Sequence, residues 1–74
     1  MPKLPLLTPK KLLRVLREAG FEIDHITGSH YILYHPISKK RVVIPFHSKT
    51  LPRGTTHAIL KSAEIDRKEL KKHL

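Results

Sequence analysis

One change of hydrophobic period divides this 74-residue chain: apolar residues follow a helical repeat before Gly20 and alternate after it. The pair Thr8-Pro9 is typical of a helix start, because an N-cap residue is followed by proline at the first helical position. Gly20 is typical of a helix end. We therefore predict a first helix from about residue 9 to residue 19. Its apolar stripe consists of Leu12, Leu13, Leu16 and Ala19.

Three segments after Gly20 have the composition of β-strands. Residues 21–27 alternate with a period of two. Residues 30–35 and 41–47 are rich in β-branched and aromatic residues and flank a turn at 36–40, which predicts a hairpin. Pro45 cannot donate to a ladder, so the third strand should be an edge strand at that point. In the first strand, regular alternation would place Phe21, Ile23 and His25 on one face and Glu22, Asp24 and Ile26 on the other.

Two further helices are predicted in the last third of the chain. The first runs from about residue 54 to residue 63. Asp66 is a good N-cap for a short final helix, because Glu69 stands at the capping-box position. The residues of the earlier helix that should face inward are Ala58, Ile59 and Leu60.

The resulting element order is α-β-β-β-α with a final turn or two of helix. Strands bracketed by helices favour the α+β class, with a three-stranded antiparallel sheet and the helices on one face. We expect a single domain over residues 1–74, with a lead-in at residues 1–7 and a core at about residues 8–73.

Charge and cysteine content limit the functions open to the chain. It has 15 Lys+Arg against 6 Asp+Glu, a net charge of +9, and no cysteine. The absence of thiols excludes a disulfide framework, a cysteine nucleophile and zinc sites built on thiolates. No apolar run approaches the ~20 residues of a membrane span, so we expect a cytoplasmic protein with no membrane partner. A strongly basic small chain is typical of proteins that bind nucleic acid or an acidic protein.

The basic side chains fall into two groups that we assign to RNA binding. Lys10 and Lys11 lie on the face of the first helix opposite its apolar stripe, together with Arg14 and Arg17. The second group lies at the hairpin tip and consists of Lys39, Lys40 and Arg41. The alternative for both groups is an ordinary solvated surface.

The register of the hairpin decides which histidines share a face. If the loop has four residues, 37–40, Pro36 lies opposite Arg41 and His30 opposite His47, with the two histidine Cα atoms roughly 5 Å apart. A two-residue loop centred on Ser38-Lys39 gives the same pairing, whereas a loop of odd length would break it. The predicted core face consists of Tyr31, Leu33, His35, Val42, Ile44 and Phe46. The other face holds His30, Ile32, Tyr34, Arg41, Val43, Pro45 and His47.

Two histidines on a cationic surface suit the cleavage of RNA. One group must take the proton of the 2′-hydroxyl and another must protonate the leaving 5′ oxygen, and imidazole titrates near neutral pH. RNA carries its own nucleophile, so we expect neither a metal nor a cofactor, and Lys, Arg or backbone N–H groups can hold the phosphate charge. A metal site built from His25, His30 and His47 is the weaker hypothesis, because no carboxylate-rich or His-x-His spacing accompanies them.

Several short motifs follow one another in a distinctive order. They are Leu16-x-x-Ala19-Gly20-Phe21, Gly28-Ser29-His30, His35-Pro36, Val42-x-Ile44-Pro45-x-His47, Leu51-Pro52-x-Gly54-Thr55 and Ile59-Leu60. Each motif alone is weak, whereas their order and spacing together are fairly specific. In these motifs, from Leu12 to about Asp66, the chain resembles the HicA family of small mRNA interferase toxins, the partners of HicB antitoxins.

The resemblance implies a fold like that of the double-stranded-RNA-binding domain and a single catalytic histidine, which corresponds to His30. It also implies RNA and a HicB-like antitoxin as partners. Gly28 would let the chain turn tightly before the strand. Ser29 would cap that turn and not act as a nucleophile. A second catalytic role for His47 is a hypothesis drawn from the predicted register alone.

Three functions are compatible with these features. The first is a toxin of a toxin-antitoxin system that acts as a metal-independent endoribonuclease on mRNA, with His30 as general acid or base. The second is a non-catalytic RNA-binding module of the same fold. The third is an interaction protein whose basic face binds an acidic partner. A cleavage assay separates the first from the second.

Overall fold

The computed structural model describes residues 6–46 and 49–73, and this part of the chain contains three helices and three strands. They follow the order α1 (Pro9–Glu18), β1 (Glu22–Thr27), β2 (His30–Tyr34), β3 (Arg41–Pro45), α2 (Arg53–Ala63) and α3 (Arg67–Lys72). The predicted order and the α+β class are therefore confirmed, and the layout matches that of the double-stranded-RNA-binding domain.

The first helix begins and ends at residues suited to those positions. Thr8 is extended, and its hydroxyl accepts a hydrogen bond from the backbone N–H of Lys11 at 3.1 Å. Gly20 has a φ of +106°, a conformation that residues with a Cβ rarely adopt, and it turns the chain towards β1. The fully buried apolar residues of α1 are Leu12, Val15 and Leu16, so the centre of the predicted stripe is confirmed and Val15 is added to it.

The strands form one antiparallel sheet in the order β1-β2-β3. The register between β1 and β2 shifts between Ile23 and His25, so that Asp24 is an extra residue in a β-bulge. Ile23 is opposite Leu33, whereas His25 is opposite Ile32. The regular alternation predicted for the first strand is therefore wrong from His25 onward.

The helices cover one face of the sheet, which we call the inner face. Leu33, Val42 and Ile44 are buried on this face, and both α1 and α2 pack on β3. All six residues of β1 are exposed, including Ile23 at 37% and Ile26 at 52%. The core therefore lies between the helices and the β2–β3 pair, and β1 is an exposed edge strand.

The turn between β2 and β3 is held by His35. Its backbone N–H donates to the carbonyl of Lys40 at 2.9 Å, and its Nδ1 accepts hydrogen bonds from the backbone N–H groups of Ile37 and Ser38. The loop therefore consists of residues 36–39, and Lys39 adopts a left-handed φ of +65°. The predicted loop at 37–40 is wrong by one residue, because Pro36 has no N–H with which to form the closing pair.

The last two helices confirm the cap predicted for α3 and correct one buried position predicted for α2. Asp66 accepts a hydrogen bond from the backbone N–H of Glu69 at 2.8 Å, as its N-cap position predicts. Ile59 and Leu60 are buried as predicted, whereas Ala58 is exposed. None of the helices in the described part of the chain is long and apolar enough to span a membrane.

Candidate active site on the sheet

The face of the sheet turned away from the helices carries a mixture of imidazole, phenol, guanidinium and carboxylate groups. We call it the outer face. Residues opposite one another in the ladders share a face, which assigns each strand residue to one side. The outer face consists of Glu22, Asp24, His25, Thr27, His30, Ile32, Tyr34, Arg41, Val43 and Pro45.

His30 is the first residue of β2 and lies directly after a two-residue turn. Gly28, the first residue of the turn, has a φ of +57°, and Ser29 is not in the positive-φ region. A hairpin turn with a positive φ only at its first central residue is of the type that requires glycine there. The turn therefore leaves His30 exposed at the start of β2, as the Gly-Ser-His motif predicts.

Ser29 contributes its backbone to the sheet. Its carbonyl accepts a hydrogen bond from the backbone N–H of Phe46 at 2.6 Å, which extends the β2–β3 ladder past Pro45. Phe46 in turn stacks on Tyr31 with the ring centroids 3.9 Å apart. These contacts give the backbone of Ser29 a structural role beside His30, whereas the capping role expected for its side chain stays a prediction.

The predicted pairing of His30 with His47 is wrong. His30 lies opposite Pro45, and every β2–β3 pair is displaced by two residues from the predicted register. The displacement follows from the earlier start of the loop. A shift of two residues leaves each side chain on its predicted face, so the assignment of His30, Ile32 and Val43 to one face still holds. His47 itself lies outside the described residues.

The three cations of the hairpin tip lie on different sides of the sheet. Lys40 forms an ion pair with Glu64, at the end of α2, with Nζ 2.5 Å from Oε2. Lys39 and Arg41 instead lie over the ring of Tyr34 on the outer face, with Lys39 Nζ 5.9 Å and the Arg41 guanidinium carbon 4.8 Å from its centroid. Tyr34 with Lys39 and Arg41 therefore forms one cationic, aromatic group at the end of β2 remote from His30.

The helices that cover the inner face of the sheet form what we call the helical layer. The basic residues of α1 lie in this layer, on the other side of the sheet from His30. Lys10 and Lys11 are both exposed. Lys10 lines a shallow groove along the helix together with Arg14 and Arg17. Arg14 also donates to the carbonyl of His73 at 3.2 Å, and His73 contacts Glu18 through Nδ1 at 2.9 Å. These contacts dock the end of the chain onto α1.

A histidine-aspartate pair on β1 was not found by sequence reasoning. Asp24 accepts a hydrogen bond from Nδ1 of His25 at 2.7 Å and a second from Arg41 at 3.2 Å. The hydrogen bond from His25 has the larger effect, and together the two hold the pKa of the Asp24 carboxyl below its ordinary value of 3.8. The only available signal was the adjacency of the two residues, and neighbouring residues of a regular strand point to opposite faces.

His35 and its neighbours explain two of the sequence motifs as structural. Its ring lies edge-on to Phe21 with the centroids 5.0 Å apart. A Cβ added to Gly20 would lie 2.7 Å from His35 Nε2. Gly20 is therefore required both by its positive φ and by the close approach of the imidazole. The Gly20-Phe21 and His35-Pro36 motifs meet at one junction between the sheet and α1.

Residues that could bind a metal ion do not cluster in the described ranges. Within residues 6–46 and 49–73, no three His, Asp, Glu or Cys side chains converge on a common point.

Comparison with known proteins identifies the family. A family model described as the HicA toxin of bacterial toxin-antitoxin systems matches residues 9–65. A comparison with curated proteins gave no significant match. The matched residues run from the start of α1 to the end of α2 and include the Gly28-Ser29-His30 turn and the whole sheet. The chain therefore belongs to the HicA family and is the toxin of a toxin-antitoxin system.

Proposed function

We propose that the protein is an endoribonuclease that cleaves mRNA without a metal ion and that His30 transfers a proton in the reaction. The observation that carries the proposal is the position of His30. Its side chain is exposed at the start of β2, beside the Gly28-Ser29 turn, within the part of the chain that matches the toxin family. A substrate phosphate can approach such a side chain without any movement of the core.

The chemistry of RNA cleavage suits an imidazole at this position. The 2′-hydroxyl of the substrate is the nucleophile, so the enzyme has to supply only proton transfer and charge stabilisation. An imidazole can accept or donate a proton near neutral pH. The expected products are one fragment that ends in a 2′,3′-cyclic phosphate and a second fragment that begins with a 5′-hydroxyl.

Cations on the outer face are the proposed contacts for phosphates along the strand. Lys39 and Arg41 flank Tyr34, so that a base could stack on or beside the ring while the cations hold the adjacent phosphates. Arg41 is already bonded to Asp24, which lowers the positive charge that it offers. Lys40 is paired with Glu64, so we propose a weaker contribution from Lys40 than from Lys39.

A cleavage assay in excess EDTA tests the proposal. We expect the purified chain to cut a structured RNA in EDTA, and His30→Ala to lose cleavage while retaining its fold, since the side chain is exposed. His57→Ala is the matched control, because His57 is an exposed histidine on α2, away from the outer face. Full activity in His30→Ala, or a strict requirement for Mg²⁺, would contradict the proposal.

A non-catalytic RNA-binding module remains the second candidate, and the charge of the helical layer favours it. α1 alone carries four Lys/Arg against one Glu. A protein that binds RNA through this layer would show strong, salt-dependent binding without cleavage. Intact RNA recovered from a saturated complex, at every protein concentration, would select this candidate.

The antitoxin is proposed to be a HicB-like protein that covers the outer face. This face offers Val43, which is 46% exposed, beside the half-buried Ile32 and Tyr34. Apolar groups of a partner can pack on these residues and slow its dissociation, while Asp and Glu side chains near Lys39 and Arg41 accelerate its association. Such a partner would also cover His30 and so prevent access of RNA.

A further inference from the structure

The β-bulge in β1 brings a second histidine onto the same face as His30. In a regular strand, Asp24 and His25 would point to opposite faces. The extra residue at Asp24 changes the register, so that His25 is opposite Ile32 on the outer face while its neighbour Asp24 still reaches Arg41. Bulges occur next to active sites, where they redirect a side chain.

The register also sets the separation of the two imidazoles. Thr27 is opposite His30 and His25 is opposite Ile32, so His25 and His30 are diagonal neighbours on adjacent strands. Diagonal neighbours have Cα atoms roughly 7–8 Å apart, a distance that long or aromatic side chains can span. The attacking and leaving oxygens of an in-line phosphoryl displacement lie on opposite sides of the phosphorus, so the base and the acid must flank it without touching each other.

Asp24 determines which nitrogen of His25 is available. The Asp24 carboxylate is ionised and can only accept, so Nδ1 of His25 must donate the hydrogen bond that joins them at 2.7 Å. In the neutral ring this leaves Nε2 with a free lone pair. Arg41 also fixes the position of the Asp24 carboxylate, since it donates a hydrogen bond to the same oxygen at 3.2 Å.

We propose that His25 is a second catalytic residue, which takes the proton of the 2′-hydroxyl through Nε2, and that His30 protonates the leaving oxygen. This inference rests on the proposed ribonuclease function. As the 2′-oxygen loses its proton to His25, it forms a bond to phosphorus, and the bond from phosphorus to the 5′ oxygen breaks. His30 gives its proton to that oxygen. Asp24 is a positioning residue that orients His25 and stabilises the imidazolium form.

The first test compares three histidine variants on the same RNA in excess EDTA. We expect His25→Ala to lose roughly 10²-fold or more in kcat, the usual contribution of one acid or base. Its fold should be unchanged because the side chain is 55% exposed. His57→Ala should cleave at the wild-type rate. Wild-type rates in His25→Ala together with an inactive His30→Ala would overturn this inference alone, whereas an inactive wild-type protein would overturn the proposed function.

The second test separates the base from the acid. An RNA with sulfur in place of the 5′ bridging oxygen at the cleaved linkage has a leaving group that needs no proton. On this substrate His30→Ala should recover most of the wild-type rate, whereas His25→Ala should remain slow. Recovery by His25→Ala and not by His30→Ala would contradict the assigned roles.

The third test examines Asp24 through its dependence on His25. Asp24→Asn should lower kcat to a value between those of wild type and His25→Ala, with KM and the melting temperature nearly unchanged. In the His25→Ala background the same substitution should have no further effect on kcat, because the effects of substitutions in residues that act as a unit are not additive. Full additivity of the two losses would show that Asp24 does not act through His25.

Discussion

The helical segments and the strands of this protein differ in net charge by a wide margin. α1 has four Lys/Arg against one Glu, and residues 49–73 have seven Lys/Arg against three Asp/Glu, which together give +7. Residues 22–45, the three strands with their turns, have three Lys/Arg against two Asp/Glu, a net charge of +1. Most of the positive charge therefore lies in the layer that does not contain His30.

The thickness of the molecule makes this difference important for RNA binding. The shortest dimension is 17 Å. The Debye length at physiological ionic strength is about 8 Å, so charges of the helical layer are largely screened at the outer face. The phosphates of an RNA strand bound along the outer face must then be held by cations of that face. We therefore expect RNA affinity to depend on basic residues of both layers and cleavage to depend on those of the outer face.

The largest expected effect is inhibition by the antitoxin. A partner that covers the outer face excludes the scissile phosphate from His30, so cleavage by the preformed complex should fall to background. The measurement is a titration of that complex with RNA, in which bound RNA and cleaved RNA are followed together. A ternary complex that forms at low salt without cleavage would place the RNA on the helical layer and support the comparison. A ternary complex with unimpaired cleavage would show that the antitoxin binds elsewhere.

The next effect concerns the salt dependence of RNA affinity. Lys39→Ala/Arg41→Ala should lower the log-log slope by about 1.4 if both residues contact phosphates of single-stranded RNA. It should also reduce kcat/KM. Lys10→Ala/Lys11→Ala should lower the slope by a similar amount with little loss of cleavage at saturating RNA, since both residues lie in the helical layer.

A matched control removes the same charge from α3. Lys71 and Lys72 are exposed and are not among the proposed RNA contacts. Lys71→Ala/Lys72→Ala should therefore change the slope less than either other pair. Equal slopes in all three variants would mean that RNA affinity depends on the net charge of the protein alone. The distinction between the two layers would then have no effect on binding. Lys40→Ala should change the slope less than Lys39→Ala because Glu64 partly neutralises Lys40.

The elements and faces of this fold could be predicted because local signals agree with one another. Thr8, Pro9 and Gly20 delimit α1, and Asp66 caps α3, each through a local preference that the tertiary structure does not oppose. The faces of β2 and β3 were predicted correctly even though the register was wrong, since the error was an even number of residues.

Two features of the candidate site could not be predicted, for different reasons. The register depends on His35, whose side chain organises the turn through hydrogen bonds that no turn propensity describes. The bulge at Asp24 is a single added residue without a characteristic composition, and it becomes visible only when the pairing with β2 is known. The exposed position of His30 could be predicted because a glycine-dependent turn precedes it, whereas the position of His25 on the outer face depends on the bulge.

A smaller effect, on stability, is expected at Gly20, in the connection between α1 and β1. Gly20→Ala should destabilise the protein by about 1–3 kcal/mol, because a residue with a Cβ is strained at a positive φ and the new Cβ would lie against His35. In a domain of this size, 1 kcal/mol shifts the melting temperature by roughly 4–8 °C. The rate of cleavage per folded molecule should not change, since Gly20 lies next to His35, at the end of β2 opposite His30.

The control for this substitution is Gly54→Ala in α2. Gly54 has an ordinary φ and open space around the position of a Cβ, so alanine should be neutral or slightly stabilising there. Thermal melts of both variants provide the comparison. A Gly20→Ala variant as stable as Gly54→Ala would show that the junction between α1 and β1 tolerates a side chain.

The smallest expected effect is the contribution of Asp24 to stability in acid. The pKa of Asp24 is lower in the folded protein than its ordinary value of 3.8, so its contribution is present above that pH and is lost as the pH falls below it. The difference in unfolding free energy between wild type and Asp24→Asn should therefore be constant well above pH 3.8 and should diminish as the pH falls below that value. The difference should be small throughout, because Asp24, His25 and Arg41 are all solvent-exposed. Denaturant titrations across this range measure it. A large difference that persists in acid would show that the charge of the Asp24 carboxylate is not the source of its contribution to stability.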